Sequence, residues 1–407
     1  MVATYNIIIY LYTKLLALAA LFNNKAKLLV KGREAQVVKA LPKSLWFHFA
    51  SLGEFEQGRP VLEEVKSKYP DVPVVITFFS PSGYEVRKNT ALADAVYYLP
   101  QDTFKNARQF IDSINPVMAV FTKYEYWYHY FKQLHSRHIP LYVISGIFRP
   151  GQVFFKWYGS LHREMLKMVT WFFVQDIPSK HLLQNLGISN VTISGDTRFD
   201  RVWANAQAPK ALQHIAEFKN GKKLFVAGST WPADEALFTQ LINQHPGWRF
   251  VFAPHEIGDS KIAGLEQTLS GILTVRHSNI EALNEQTRVL IIDNMGMLSA
   301  LYQYADMVYI GGGFGAGIHN TLEAAAFGVP VIFGPNYQKF KEARDLIEKG
   351  AGFSINNQEE LLTTVNRLMA NEDLSNAAAQ IAKHYVDSHI GATNTIMSYI
   401  IDKHPLL

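Results

Sequence analysis

The chain contains no cysteine and comparatively few charged residues. The absence of Cys among its 407 residues excludes disulfide bonds, thiolate metal sites and cysteine nucleophiles. Charged residues make up 18% of the chain, and a formal net charge of +4 is too small to indicate a nucleic-acid-binding protein, although it suits phosphate- or carboxylate-bearing ligands. Neither a His-Glu-x-x-His motif nor an Asp-x-Asp pair occurs, whereas divalent-cation sites need clustered ligands. We therefore predict no metal, no cofactor and no nucleic-acid partner.

Apolar sequence is abundant and arranged in short runs. Hydrophobic residues form 48% of the chain, and 407 residues are too many for one ordinary core, so we expect two domains of roughly 200 residues each. Short β-rich runs alternate with helical patterns in both halves, which is typical of parallel sheets covered on both faces. The fold class is therefore α/β, with two Rossmann-like domains facing each other across a cleft that binds the ligands. The predicted strands are 44–50, 73–79, 95–100, 117–122, 141–146, 171–175 and 191–195, then 223–228, 249–254, 272–277, 288–293, 307–312 and 330–334.

Residues 4–22, TYNIIIYLYTKLLALAALF, form a long apolar stretch with a single charge, Lys14. The length approaches that of a bilayer core, but a central Lys is costly there, so spanning the membrane and lying in its interface are both possible. The sequence that follows is a poor signal-peptidase site, so we predict a retained anchor; the alternative is the buried first helix of a soluble domain. A basic cluster that marks the cytoplasmic side and faces anionic lipid follows: Lys25, Lys27, Lys31 and Arg33.

The join between the two domains is predicted within residues 202–223. There the β pattern lapses, and polar residues and Ala dominate. The end of the chain, AKHYVDSHIGATNTIMSYIIDKH, is helical in pattern. It could pack back across the first domain.

A glycine-rich stretch, GGGFGAGIHNTLEAAAFGVPVIFGP, begins at Gly311 and sets five glycines within seven residues before a helical run. The pattern indicates a strand, a glycine loop and a helix with Asn320 as N-cap and Glu323 as the third residue beyond it. Glycines would let a phosphate or sugar touch main-chain N–H groups, and Glu323 could accept hydrogen bonds from a ribose diol. Alternatively, Glu323 only closes a capping box on the Asn320 N–H. The loop lacks the Walker lysine and the Gly-x-Gly-x-x-Gly spacing.

Three further strand ends in the second half are candidates for nucleotide contacts. The first leads into a helix, and its hydroxyls, Ser229 and Thr230, could cap that helix or hold phosphate oxygens. The second ends in Pro-His, and the third runs into a Met-Gly-Met sequence that could present backbone to a base. The candidate residues are therefore Ser229, Pro254, His255, Met295, Gly296 and Met297.

In the first half, Glu54 stands at the start of the helix that follows strand 44–50. A carboxylate there can remove a proton from an attacking hydroxyl, but it is equally an ordinary first-turn acid that stabilises the helix dipole. Glu125 follows another strand, among seven aromatic residues in eleven positions.

Arg198 follows the last strand of the first half. It offers a cation near an anionic leaving group. Its plainer role would be a salt bridge to Asp196 or Asp200.

The motifs SLGE, YEYW, GDTRFD, GST, NMG, HNTLEAA and GPNYQKFKEA follow the apolar N-terminus in that order. Together they resemble the membrane-associated Kdo transferases, which add 3-deoxy-D-manno-oct-2-ulosonic acid (Kdo) from CMP-Kdo to lipid A precursor. The resemblance covers nearly the whole chain and implies a GT-B fold. It assigns residues 1–24 to the membrane anchor, 25–205 to the acceptor domain, 206–385 to the CMP-sugar-binding domain and 386–407 to a C-terminal helix on the acceptor domain.

The resemblance also implies roles for individual residues. Glu54 falls at the position of the general base, and Glu125 and Arg198 fall at those of transition-state stabilisers. Two departures concern the acceptor: the family's usual tryptophan motif has Pro and Asn after Trp and another acid before it, and Arg198 replaces a common Lys with different donor geometry. The implied CMP contacts are Ser229, Pro254, His255, Met295, Gly296, Met297, Asn320, Thr321, Leu322 and Glu323.

The expected activity is inverting transfer of Kdo to lipid IVA in lipopolysaccharide synthesis, at the cytoplasmic side of the inner membrane and without a cofactor. A UDP-sugar-dependent GT-B transferase that makes a glycolipid or peptidoglycan precursor is one alternative. A catalytically inactive membrane-bound scaffold that binds nucleotide or lipid is another.

Overall fold

Each half of the chain forms a seven-stranded parallel sheet in the computed structural model, which describes residues 1–123 and 125–404. Contacts divide the chain into a first unit, Met1–Arg201 with the segment that begins at Ile390, and a second unit, Val202–His389. Tyr124 of the YEYW motif and the last three residues of the predicted C-terminal helix lie outside the described residues.

The first sheet has the strand order β3-β2-β1-β4-β5-β6-β7. All strands are parallel, but successive strands are added on one side of β1 up to β3 and on its other side from β4 onward, so the strand order reverses between β1 and β4. All residues of β1 are buried, as expected for a parallel strand covered on both faces. Since ligands of open α/β sheets bind where the strand order reverses, the carboxyl ends of β1 and β4 are the expected site in this unit. The strands are β1 (Ser44–Phe49), β2 (Val74–Phe78), β3 (Ala95–Tyr98), β4 (Pro116–Thr122), β5 (Leu141–Gly146), β6 (Trp171–Val174) and β7 (Val191–Ile193).

The second sheet has the order β10-β11-β9-β8-β12-β13-β14, in which β8 lies between β9 and β12 and β11 is inserted between β9 and β10. Each of the thirteen predicted strands is present, with bounds that differ by at most two residues. The short β14 was not predicted, because Gly-Phe-Ser contains no β-branched or alternating pattern. The strands are β8 (Leu224–Thr230), β9 (Arg249–Pro254), β10 (Thr274–Arg276), β11 (Val289–Ile291), β12 (Met307–Ile310), β13 (Val331–Phe333) and β14 (Gly352–Ser354).

Helices cover both faces of the two sheets. In the first half they are α1 (Val2–Ala19), α2 (Asn24–Ala35), α3 (Leu52–Lys68), α4 (Pro81–Arg87), α5 (Phe104–Ile114), α6 (Tyr128–Ser136), α7 (Ser160–Lys167), α8 (Ile177–Gln184) and α9 (Thr197–Gln207). In the second half they are α10 (Gln213–Lys219), α11 (Pro232–Glu235), α12 (Phe238–Gln244), α13 (Asp259–Thr268), α14 (Leu298–Leu301), α15 (Leu322–Ala326), α16 (Lys341–Lys349), α17 (Gln358–Ala370), α18 (Glu372–Asp387) and α19 (Ala392–Lys403).

Helix α1 is long and apolar enough to cross a membrane, and Ile9 is its one buried residue. It is therefore not the buried core helix that the alternative interpretation required. One side of α1 makes polar contacts with the rest of the first unit: the Tyr5 hydroxyl donates to Asp102 Oδ2 (2.5 Å), and Asn6 Oδ1 lies 2.7 Å from His129 Nε2. The other side exposes large apolar side chains, namely Ile7, Ile8, Tyr10, Leu11, Leu15 and Leu18.

The C-terminal helical pattern consists of two helices, because Gly391 adopts a left-handed backbone (φ +108°) between α18 and α19. The final helix therefore begins at Ala392. It belongs to the first unit, where Ile396 and Ile400 are fully buried. Asp200 fixes its start by accepting hydrogen bonds from the main-chain N–H groups of Gly391 (2.6 Å) and Thr393 (2.7 Å).

Candidate active site

Glu54 lies in the first turn of α3, directly after β1. Its Oε2 accepts a hydrogen bond from the Ala50 N–H at 2.6 Å. Burial raises the pKa of Glu54 to about 7, helped by the negative charge of Glu125 and opposed by the Ala50 N–H and the charge of Lys123. Glu54 is therefore not an ordinary solvated first-turn acid.

Glu125 follows β4, the strand beside β1. Its Oε2 accepts a hydrogen bond from Trp127 Nε1 (2.8 Å) and lies 3.6 Å from Nε2 of the fully buried His48. His48 Nδ1 lies 2.8 Å from Thr77 Oγ1, which holds the ring in place. The reversal of strand order between β1 and β4 thus places Glu125 within electrostatic range of Glu54.

Arg198 is paired with Asp196, one of the two partners considered from the sequence. The Nε and Nη2 atoms of Arg198 lie 2.9 and 2.8 Å from Asp196 Oδ2. Burial alone would raise the pKa of Asp196, but the Arg198 charge and hydrogen bonds hold this pKa below its ordinary value. The Arg198 side chain is 30% exposed, and Asp196 holds its guanidinium group in a defined orientation.

Gln57 and Lys123 connect these residues into one cluster. Gln57, one turn after Glu54, donates from Nε2 to Asp196 Oδ1 at 2.7 Å. The positive charge of Lys123 lowers the pKa of both Glu54 and Asp196. The structure therefore brings together the three predicted residues of the first half, and Gln57, which the sequence interpretation missed, carries no motif that would have marked it.

In the second unit, the glycine loop packs against the protein's own backbone. A Cβ added to Gly311 would lie 2.3 Å from Ser229 O, and one added to Gly313 would lie 2.5 Å from Gly334 Cα. Gly312 and Gly317 have φ values of +91° and +141°. Close contact between strand-end loops therefore requires these glycines, whatever ligand the loop binds.

We expect Gly311→Ala to destabilise the second unit by ~1–3 kcal/mol or more, since the new methyl group meets backbone atoms that cannot rotate away. Gly315→Ala is the matched control, because its Cβ would come no closer than 3.6 Å to Gly312 O. This control should change the free energy of unfolding by less than ~0.5 kcal/mol. Denaturant unfolding of the two variants tests the prediction, and equal losses would contradict it.

Asp234 stabilises the same glycine loop through hydrogen bonds. The carboxylate, 1% exposed, accepts hydrogen bonds from the main-chain N–H groups of Gly312 (2.8 Å) and Trp231 (2.9 Å) and from the Tyr309 hydroxyl (2.7 Å). From the sequence, Asp234 is only an acid in the first turn of a helix. Its role in shaping the loop depends on Tyr309 and Gly312, which are about 75 positions away in the chain.

The predicted residue His255 follows β9 and takes part in a stack of rings. Its ring lies 4.4 Å from that of His319 and 4.8 Å from that of Trp231, measured between ring centroids. Burial, together with the charge of His255, lowers the pKa of His319 to about 4, so His319 is neutral at physiological pH. His319, in the glycine-loop motif, was not singled out from the sequence, although its neighbour Asn320 was.

The predicted stretch Asn320–Glu323 begins α15, which is only five residues long. The N-cap is Thr321 and not Asn320, but Asn320 Oδ1 still accepts a hydrogen bond from the Leu322 N–H (3.1 Å). Asn320 Nδ2 donates to Glu323 Oε1 at 3.1 Å. Thr321 Oγ1 is buried without a hydrogen-bond partner among the described residues.

The other predicted contacts lie at neighbouring strand ends. Ser229, at the end of β8, has a left-handed backbone (φ +54°), which is uncommon for a residue with a side chain and is often found at functional sites. Met295 is 74% exposed, Gly296 has φ +91°, and Met297 packs against a hydrophobic core of the second unit. In the part of the chain that the structure describes, no group of three His, Asp or Glu side chains could hold a metal.

Two Rossmann-like domains with this strand order give the chain a GT-B fold. Solved structures agree: a putative UDP-N-acetylglucosamine 2-epimerase from Listeria monocytogenes superposes with a TM-score of 0.62 at 15% identity, covering 90% of this chain and 97% of that one. A glycosyltransferase from Rickettsia africae superposes with a TM-score of 0.56 at 14% identity, covering 89% and 99%.

Sequence comparison shows which family the chain resembles. The model described as 3-deoxy-D-manno-octulosonic-acid transferase (Kdo transferase) matches residues 23–201. A 3-deoxy-D-manno-octulosonic acid transferase from Haemophilus influenzae is 25% identical over 359 residues, which cover 84% of this chain and 83% of the relative. Residues 23–201 therefore match the Kdo transferase family model, and the chain is similar over most of its length to Kdo transferases, which are glycosyltransferases.

Proposed function

We propose that the protein transfers Kdo from CMP-Kdo to lipid IVA, the lipid A precursor, by a single inverting displacement. The observation that carries the proposal is Glu54, a carboxylate whose pKa is raised to about 7 by burial beside Glu125, in a chain that resembles the Kdo transferase family. A general base works best when its pKa lies near the operating pH.

In the proposed step, Glu54 takes the proton from a glucosamine hydroxyl as the hydroxyl oxygen attacks the anomeric carbon of Kdo. The bond between that carbon and the phosphate oxygen breaks, and CMP leaves with the electron pair. Arg198, oriented by Asp196, and the N–H groups near Asn320 offset the negative charge on the phosphate. The proposal requires both units to act on the same donor molecule.

The residues proposed to bind CMP follow strands of the second sheet. Ser229 lies at the end of β8, and His255 and the Asn320–Glu323 turn follow β9 and β12, the two neighbours of β8 in that sheet. Backbone N–H groups at such strand-to-helix turns suit a phosphate.

Release of CMP from CMP-Kdo in the presence of lipid IVA is the direct test. A UDP-sugar transferase of the same fold would instead be stabilised against thermal unfolding by UDP and not by CMP. A scaffold without activity would bind nucleotide or lipid and release no CMP while an authentic transferase, assayed in parallel, does.

The membrane part of the proposal places α1 in the cytoplasmic face of the inner membrane. Its exposed apolar side chains support this placement, and Lys25, Lys27 and Lys31 on α2 are exposed and positioned in sequence to meet anionic headgroups. The lipid acceptor then meets the enzyme at high local concentration. Failure of the protein to float with anionic vesicles would contradict this part of the proposal.

The pH profile of kcat/KM should report the titration of Glu54. Since the base must be deprotonated to accept a proton, activity should rise with pH up to about 7, the raised pKa of Glu54, and level off above it. Steady-state rates with lipid IVA between pH 5 and 9 measure this limb. A rise centred on an ordinary carboxyl pKa would contradict the prediction, and the residual activity of Glu54→Gln should lack the limb.

A further inference from the structure

Arg33, near the end of α2, has a guanidinium group that the first unit leaves unsatisfied. Among the described residues, its Nε and Nη1 atoms are buried and have no hydrogen-bond partner. Burial lowers the pKa of Arg33, but an arginine side chain keeps its charge in proteins. A buried charge without a hydrogen-bonded partner is costly, and a bound anion would remove that cost.

The charge lies on an aromatic shelf formed by Tyr12, Phe79 and Trp127. Arg33 Cζ is 5.3 Å from the centre of the Phe79 ring. The Tyr12 and Trp127 rings both stack on Phe79, at centroid distances of 6.5 and 5.2 Å. Arg33 lines two cavities: a narrow one with this shelf and Ile9, and a wider one of ≈ 850 Å³.

The nearby carboxylates Asp102 and Asp112 are engaged elsewhere. Glu125, whose charge acts on Arg33, accepts a hydrogen bond from Trp127. Asp102, in the narrow cavity, accepts hydrogen bonds from the Tyr5 hydroxyl and from the main-chain N–H groups of His129 and Tyr130. In the wider cavity, Asp112 pairs with Arg137 at 2.7 Å. Glu34, also on that wall, is exposed.

The shelf leads directly to the candidate catalytic carboxylates. Trp127, which stacks on Phe79, donates its Nε1 hydrogen to Glu125, the neighbour of Glu54. On the other side, Ile9 and Tyr12 belong to α1, whose outer face is apolar and exposed. A ligand at Arg33 therefore lies between a reaction site and a surface suited to acyl chains.

We infer that the Arg33 guanidinium group binds, through its fork of N–H donors, a phosphate on an acylated amphiphile whose acyl chains lie along α1. Resting on the proposed function, this group is a phosphate of the lipid acceptor, and Arg33 positions the acceptor sugar at Glu54. A planar fork matches two phosphate oxygens, and the aromatic shelf suits the face of a sugar ring. The same chemistry could come from the headgroup of a surrounding phospholipid.

Binding of lipid IVA and of its enzymatically dephosphorylated form, in neutral detergent, tests the inference. Arg33→Gln should weaken binding of lipid IVA by about 10- to 100-fold, the range for a charge-assisted hydrogen bond, and leave binding of the dephosphorylated lipid unchanged. Arg108→Gln removes the same charge from an exposed position of the first unit and should change neither. Equal weakening for both lipids would show a structural role for Arg33 and overturn the inference.

Vesicles distinguish the two sources of phosphate. If phosphatidylglycerol in phosphatidylcholine vesicles binds at Arg33, the Arg33→Gln protein should lose affinity for these vesicles and keep its affinity for lipid IVA. If neither ligand is affected, the inference is wrong. Should Arg33→Gln fail to fold, as judged by circular dichroism and thermal unfolding, Arg33→Lys replaces it. The charge stays but the fork is lost, so this variant should bind lipid IVA about threefold to tenfold more weakly and bind the dephosphorylated lipid unchanged.

These readouts measure binding and do not depend on transfer. If the protein binds lipid IVA through Arg33 but releases no CMP from CMP-Kdo, the inference about Arg33 stands and the proposed reaction is refuted. Where transfer does occur, Arg33→Gln should raise KM for lipid IVA and leave KM for CMP-Kdo unchanged.

Discussion

Replacement of Glu54 by Gln should lower kcat by about 10²- to 10⁴-fold, the usual contribution of a general base. The amide has nearly the same shape and its oxygen can still accept the Ala50 N–H, so the start of α3 should be preserved. It cannot take up a proton from the attacking hydroxyl. Single-turnover transfer from CMP-Kdo to lipid IVA, measured beside thermal stabilisation by CMP, separates lost chemistry from lost folding.

Glu64→Gln is the matched control for this experiment. Glu64 is an exposed residue on the same helix, so its neutralisation changes the net charge equally without touching the site. Activity of this control should stay within about twofold of the wild type. If Glu54→Gln also retained most of its turnover while folded, the base would have to be another residue.

Replacement of Arg198 by Ala should lower kcat by about 10²- to 10³-fold, the range for removal of one group that stabilises transition-state charge. The two nitrogens bonded to Asp196 fix the guanidinium plane, so the effect depends on orientation as well as on charge. Arg198→Lys should recover part of the lost rate, because it keeps the positive charge, although Asp196 would orient a Lys side chain less well. Asp196→Asn should lower kcat without removing the cation.

The control for the Arg198 variants is Arg201→Gln on the same helix, where Arg201 lies 3.7 Å from Glu63. It should leave kcat nearly unchanged. Donor affinity of each variant, measured with CMP, shows whether Arg198 acts on the bound donor or only on the transition state. A kcat for Arg198→Ala within about twofold of the wild type would remove Arg198 from the mechanism.

The carboxylate cluster shows why the location of these residues at strand ends could be predicted from the sequence, whereas their environments could not. Glu54 and Glu125 follow buried parallel strands, and strand ends can be located from apolar runs. Their mutual influence arises only because β1 and β4, far apart in sequence, are neighbours in the sheet. Asp196 and Asp200 are equivalent from spacing alone. The structure separates them, since Asp196 pairs with Arg198 and Asp200 receives the N–H groups of α19.

For the glycine loop, the sequence predicts the local conformation but not the groups that pack against it. Its composition predicts a tight turn before a helix, and that turn is present between β12 and α15. The sequence does not say which atoms approach the glycines. In the structure, Ser229 at the end of β8 and Gly334 after β13 occupy the space where side chains would lie, and Asp234 in α11 accepts a hydrogen bond from the loop.

The sequence by itself determined most of the strands, the division into two α/β halves, an apolar N-terminal helix and the resemblance to the Kdo transferases, because these depend on local periodicity and on ordered motifs. Tertiary structure alone decided the raised pKa of Glu54, the partner of Arg198 and the unsatisfied charge of Arg33. These features depend on burial and on contacts between segments that are remote along the chain: Gln57, for example, donates to Asp196, the partner of Arg198, from 139 positions away. Desolvation and short-range hydrogen bonds act through space, so they exist only once the sheets have assembled.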